Sequence, residues 1–270
     1  MIQRESGLTI AIPNWNHRPY LPRSINSAIA TSRRVTQQTG QPVEILVLDD
    51  ASRDGSQRFL NDLATSGLAD ELVTHFSATN NGLGATRNLA IKLARFRWVL
   101  FLDADNELIP DGAASLFSAA QQTGAAFTYG TLIDVRLGRA FNVRSNERAS
   151  TRLTVENYID ALGIVDTEVL EVYGGYREDR DLKQWEDWDL LLHLIAENLE
   201  IVFVPLVVAE YHILRHSMLQ EASRATPQDD YRKLARQYFQ AGTMEWDFRP
   251  IGRVFHPAIG LIDEDWSDDQ

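Results

Sequence analysis

Short apolar runs alternate with amphipathic stretches through the first half of the chain, and few folds accommodate that order. Residues 8–12, 43–48, 72–76, 98–102 and 125–133 are apolar runs of strand length. Between them Leu21, Ile25, Ala28 and Ile29 recur at helical spacing and predict a helix over 20–38. Phe59, Leu60 and Leu63 predict another over 56–64, and 85–95 reads as helical. Pro110 suits the first turn of a helix that Leu116, Phe117 and Ala120 continue. Residues 98–102 are apolar without alternation, the pattern of a strand covered on both faces. Strands and helices trading places in this way predict an α/β fold with a doubly wound, mostly parallel sheet.

The pattern changes after residue 134. Residues 134–182 are polar and lack clean periodicity, with a helix expected again over 187–197 and strands over 201–204 and 207–211. A last helix is expected over 228–240, and the acidic tail 263–270 carries too little apolar surface to build on. No repeat or low-complexity linker interrupts the chain, so one domain is expected whose second half builds on the first. Lys and Arg total 26 against 38 Asp and Glu, a formal charge of −12, which argues against nucleic acid as a partner. The absence of cysteine excludes disulfides, thiolate nucleophiles and Cys metal sites. The longest apolar stretch, 201–209, is broken by Pro205 and falls far short of the roughly 20 residues a membrane span needs. The first residues lack the apolar core of a signal peptide. A cytoplasmic protein without a transmembrane segment is expected, any membrane contact being peripheral.

Polar residues concentrate where the strands end. Pro13, Asn14 and Asn16 follow the first run, Asp49 and Asp50 the second, and Asp103, Asp105 and Asn106 the fourth. Open α/β sheets bind ligands beyond the carboxyl ends of their strands, so these clusters predict one shared site. The plainer alternative is helix capping, which suits Asp54 and Asp111. The spacing Asp-x-Asp carries little by itself: with 22 aspartates in 270 residues, about two matches arise by chance, and four occur. Position singles out Asp103 and Asp105, directly after a buried strand. Two carboxylates held together repel unless a cation lies between them, and hard oxygen ligands select Mg²⁺ or Mn²⁺. The segment from Asn80 to Asn88 opens a helix with two glycines and brings Arg87 near its N-terminus, where the dipole opposes a cation and favours an anionic partner.

As an ordered set these segments resemble the inverting family 2 glycosyltransferases of the GT-A fold. The resemblance lies in IAIPNWNHRPYLPRSINSAI, VLDDASRDGS, NNGLGATRNLAI and WVLFLDADNELIP, then VYGGYRED and WEDWDLLLHL, and it covers roughly residues 7–218. It implies a GT-A domain over 1–218, with a Rossmann-like nucleotide-sugar-binding half over 1–133 and an acceptor-side half over 134–218. A C-terminal helical extension and acidic tail would fill 219–270. The implied donor is a nucleotide-sugar, a UDP-sugar by preference, and the acceptor a glycan, lipid or protein hydroxyl.

Residue by residue, the resemblance implies that Pro13, Asn14 and Asn16 line the nucleotide site. It assigns Asp50 to the uracil ring and Arg87 to the nucleotide, and sets Asp103 near ribose and metal. Asp105 would ligate the Mn²⁺ or Mg²⁺ that bridges the pyrophosphate. Gly174, Gly175, Trp185 and Glu186 fall on the acceptor side, and Asp187 would be the general base, with Glu186 and Asp189 as alternatives. Asn106 stands where the family often has a third Asp, and His212 where it has Arg; His212 and His216 are both candidates to complete the metal shell. A sugar nucleotidylyltransferase would need a basic Gly-rich loop that 13–19 lacks. A non-catalytic nucleotide-sugar-binding module would not need a base.

Overall fold

The structure, a computed structural model, describes residues 4–67, 71–149, 151–154, 156–178, 185–214 and 238, with the backbone of 253–256 and 260–263. In chain order come β1 (Glu5–Asn14), α1 (Leu21–Thr39), β2 (Val43–Asp49), α2 (Ser56–Thr65), β3 (Leu72–Phe76), α3 (Leu83–Leu93) and β4 (Phe96–Phe101). There follow β5 (Glu107–Leu108), α4 (Pro110–Thr123), β6 (Phe127–Arg136), β7 (Arg139–Arg144) and a 3-10 turn, Thr151–Thr154. The chain continues through β8 (Gly163–Asp166), α5 (Thr167–Tyr173), α6 (Glu186–Ala196) and β9 (Ile201–His212). A small antiparallel pair, β10 (Arg253–His256) and β11 (Gly260–Asp263), lies near the end. The helix expected over 228–240, the tail 264–270 and His216 fall outside the described residues, Tyr238 excepted.

One mixed sheet runs β3-β2-β1-β4-β8-β6-β9-β5, with β7 on β6. β1 pairs in parallel with β2 and β4, and β2 with β3. The side chains of β1 sort by period two: Leu8, Ile10 and Ile12 pack towards α1 and α4, whereas Ala11 joins Val99 and Phe101 on the face covered by α3 and α6. The expectation that 98–102 is covered on both faces holds, each of these residues being buried. α1 carries Pro22 in its first turn and closes on Gly40, whose φ of 69° supplies the left-handed cap. Its face of Leu21, Ile25, Ala28 and Val35 is buried.

Two local readings change. Residues 201–211 form one strand rather than two, because β9 absorbs Pro205 and Leu206 in an irregularity between the pairs Gly130–Val204 and Thr131–Val207. A proline cannot donate to the ladder, and a bulge removes the need. The stretch 134–182 is more ordered than its polarity suggests, holding β7, β8 and α5. β8 runs antiparallel between β4 and β6. Four residues are too few for periodicity, but Asp166 at its end accepts from the Glu168 amide and so starts α5, while Arg97 of β4 holds the same carboxylate at 2.6 Å.

This reversal decides where the site lies. β1, β2, β4, β6 and β9 share one direction, so their carboxyl ends lie along one edge. β8 runs the other way, which carries the residues before it, 156–162, to that same edge. The helix α6 precedes β9, so its N-terminus lies there too.

Candidate active site

At the β1–β2 end the polar residues serve one another. The Asn14 amide donates to Asp49 (2.7 Å) and to Ser52 Oγ (3.2 Å). Asn16, in the left-handed region at φ 58°, donates its amide to Ser52 Oγ and accepts from the Arg53 amide at 2.8 Å. Pro13, the last residue but one of β1, pairs with Leu48. Asp50, also buried, accepts from the backbone amides of Asn81 (2.9 Å) and Gly82 (2.9 Å), and thus caps the N-terminus of α3 from a distant strand. Asp50 therefore couples the first two polar clusters to the glycine-rich segment.

Beyond β4, Asp103 and Asp105 stand two residues apart on the turn to β5. Burial and the neighbouring Asp103 charge push the Asp105 carboxyl up to about 6. Mutual repulsion of this kind is what a divalent cation relieves, and two hard carboxylates fit Mg²⁺ or Mn²⁺. Arg23 donates to the Asp105 carbonyl, and Asn106, buried, accepts from the His212 amide at 2.9 Å. That bond brings β9 beside the turn. His212 also sits with Glu107 and Glu210, all three offering ligand atoms within 4.8 Å of one another, so a second set of groups that could hold a metal ion adjoins Asp105.

Arg87 is withdrawn from solvent. Its side chain, 3% exposed, donates to Glu186 (2.7 Å) and Asp103 (3.3 Å) and lies against the rings of Tyr176 and Phe101. Those two charges more than offset its burial and hold its proton tightly. The expectation of an anionic partner holds, but the partners are the protein's own carboxylates. Arg87 ties the Asp103 turn to the first turn of α6.

α6 begins Glu186-Asp187-Trp188-Asp189, and its acids have different surroundings. Glu186 is taken by Arg87. Asp189 accepts from Tyr238 (2.8 Å) and pairs with Arg177 (3.1 Å). Among the described residues Asp187 accepts from neutral donors, Asn157 (3.3 Å) and the amide of Trp188 (2.7 Å), and from no cation. Burial and then the Glu186 charge push its carboxyl up to about 8, Arg87 opposing. Trp188 is core, buried and bonded to the Leu153 carbonyl at 2.6 Å, and Trp185 meets it edge to face. The Gly174–Gly175 loop is docked on α3 by Asn88, which accepts from the Tyr176 amide (2.8 Å) and donates to its carbonyl (2.7 Å). A Cβ on Gly175 would stand 2.3 Å from Asn88 Oδ1, and one on Gly84 2.5 Å from the Arg177 carbonyl, so both glycines are required by close approach.

The model of glycosyl transferase family 2 matches residues 9–177. The chain belongs to that family. The transferase is 22% identical over 235 residues to an uncharacterized glycosyltransferase of Haemophilus influenzae, covering 83% of this chain and 75% of the relative. It is 28% identical over 164 residues to the succinoglycan biosynthesis protein ExoO of Rhizobium meliloti, covering 59% and 44%. Among solved structures it resembles TarS 1–349 of S. aureus in complex with UDP-GlcNAc. The TM-score is 0.65 and the identity 18%, over 86% of this chain and 65% of that one. The fold is GT-A, as the sequence resemblance implied.

Several residues that the sequence reading passed over reach the same edge of the transferase: Asp134, Arg144, Asn157, Asp160 and Tyr211. Arg144 donates to Asp134 at 2.5 Å and lies 3.8 Å over the Tyr211 ring. All but Tyr211, which lies on the strand expected over 207–211, come from the stretch that reads as irregular, where the antiparallel course of β8 would have signalled their place.

Proposed function

We propose that this glycosyltransferase moves a sugar from a UDP-sugar to an acceptor hydroxyl with inversion, and that Asp187 is the general base. The observation that carries the reading is the contrast among the acids of α6. Glu186 and Asp189 are committed to cations, and although burial raises the Asp189 carboxyl too, Asp187 pairs with no cation among the described residues and has its proton affinity raised into the range a base needs near neutral pH. Asp187 would take the proton of the acceptor hydroxyl as that oxygen bonds to the anomeric carbon. The bond from that carbon to the diphosphate breaks on the opposite face, which inverts the centre without a protein nucleophile. Asp103 and Asp105 would hold Mn²⁺ or Mg²⁺, which when bound neutralises charge on the leaving diphosphate.

Asp50, Pro13, Asn14 and Asn16 would line the nucleoside end, and Gly174, Gly175 and Trp185 the acceptor side. Arg87 and Glu186 would act as the strut between the two halves, 1–133 and 134–218, with 219–270 as an extension. A cytoplasmic location and a glycan, lipid or protein acceptor complete the reading; no described helix is long and apolar enough to cross a membrane. The TarS structure with UDP-GlcNAc and the relative in succinoglycan biosynthesis support a nucleotide-sugar donor and a polysaccharide setting.

The test is Asp187→Asn, which keeps the side chain's shape but cannot accept a proton at neutral pH. Affinity for UDP should stay within a few-fold while transfer falls by roughly 10² or more. A variant that transfers sugar at near wild-type rate would overturn the mechanism.

A further inference from the structure

Arg144 and Asp160 form an ion pair that is too long for a hydrogen bond and is placed between the two ends of the site. Arg144 NH1 stands 3.8 Å from Asp160 Oδ2, with side chains 24% and 14% exposed. The rest of each side chain is held firmly. Arg144 gives its Nε hydrogen to Asp134 and lies on the Tyr211 ring. Asp160 Oδ1 accepts from the Leu162 amide at 3.0 Å, and the Asp160 amide donates to Ser145 at 2.9 Å.

Position follows from the chain around them. Three residues before Asp160, Asn157 touches Asp187. On the other side, Tyr211 adjoins His212, which is bonded to Asn106 of the Asp103–Asn106 turn. The pair therefore lies between that turn and the first turn of α6. Charge effects agree: burial and then Asp103 raise the Asp160 carboxyl, and Asp160 in turn helps raise Asp187.

A hydroxyl group both donates and accepts, so it can bridge a carboxylate and a guanidinium that do not reach each other. Under the UDP-sugar reading, on which this step rests, the sugar ring must lie between the diphosphate at Asp105 and the acceptor at Asp187. We infer that the Arg144–Asp160 pair receives a hydroxyl of the donor hexose and thereby selects which sugar the enzyme transfers. Asp160 and Arg144 then discriminate between hexoses that differ in the orientation of that hydroxyl, since a mismatched epimer leaves both charges unbridged.

The test measures UDP affinity, and Mn²⁺-dependent hydrolysis of UDP-glucose, UDP-galactose, UDP-N-acetylglucosamine and UDP-N-acetylgalactosamine. Wild type should prefer one member of an epimeric pair. Asp160→Asn, which still accepts from Leu162, should lower that preference about tenfold, with UDP affinity within about twofold. On the unaltered protein, the preferred UDP-hexose lacking one ring hydroxyl should lose a similar factor at a single position. A preference left intact in Asp160→Asn, losses of UDP and UDP-hexose affinity in equal measure, or no sensitive hydroxyl would each overturn the inference. Wild type that binds UDP but discriminates among none of the hexoses would overturn it too. Wild type that binds neither UDP nor any UDP-hexose would instead refute the donor reading beneath it.

Discussion

Replacing Arg87 with methionine should destabilise the fold by about 3–5 kcal/mol, the usual result of leaving one partner of a buried ion pair alone. The size follows from the partners. Glu186 is 9% exposed and takes Arg87 at 2.7 Å, so without the guanidinium its carboxylate stays in the interior unpaired. Asp103 is 28% exposed and 3.3 Å away, where water can replace the contact, so it adds about 1 kcal/mol at most. Urea unfolding followed by fluorescence suits a chain with six tryptophans. With a slope of about 3 kcal/mol/M for a chain of this size, the midpoint should fall by about 1 to 1.7 M. Arg87→Met with Glu186→Gln removes the orphaned charge and should recover about half of the loss, a coupling that only a formed pair produces. If the single and double variants unfold at the same urea concentration, the strut does not exist. The guanidinium would then be available to the nucleotide, as the sequence resemblance alone implies.

Asp105→Asn should abolish the gain in UDP affinity that Mn²⁺ confers over EDTA; equal affinities for wild type and variant in both buffers would remove Asp105 from the metal site. Asp50→Ala should weaken UDP binding even in EDTA, and should also lower the unfolding free energy by about 1–2 kcal/mol, and with it the midpoint, through the lost α3 cap. A lower midpoint with UDP affinity unchanged would leave Asp50 a cap only. The Asp187 carboxyl, raised by folding from 3.8 to about 8, favours the protonated native state, so its contribution to stability is complete below about pH 4 and is lost as pH rises through about 8. Transfer should rise over the upper part of that window as the base is freed, and Asp187→Asn should flatten the stability loss; a stability curve with the same slope in both proteins would contradict the shift.

The sheet was legible where burial is complete and period is clear. Residues 98–102 announce a covered strand, and Asp50, Asp103 and Asp105 follow such strands directly, so their shared edge could be read from order alone. Asp187 could be found only through its motif, since an acid in the first turn of a helix is ordinary. The environment that distinguishes it from Glu186 and Asp189 is tertiary: Arg87 comes from α3, and Tyr238 from far along the chain. Arg87 shows the same limit. Its position near a helix start correctly called for an anion, but nothing local says whether that anion belongs to a ligand or to Glu186, 99 residues away. Asp160 and Arg144 were hidden because β8 is four residues long and its reversal has no period to read.

Charge connects these residues into one device. Asp103, Asp105, Asp160, Glu186 and Asp187 bring carboxylates to one edge of the sheet, and Arg23, Arg87 and Arg144 are guanidiniums placed among them. Arg87 is spent on Asp103 and Glu186, and Arg144 gives its closest bond to Asp134, outside that set. The carboxylates of Asp105, Asp160 and Asp187 accept no hydrogen bond from a guanidinium among the described residues, and burial raises the proton affinity of all three. Folding thus disfavours the ionised form of three carboxyl groups, and the sheet core offsets the cost. Under the proposed mechanism each point would meet a different requirement of glycosyl transfer: a cation at the diphosphate, a hydroxyl donor on the sugar, and a proton from the acceptor. Neutral residues at these positions would make a more stable protein, but one without attraction for any of the three.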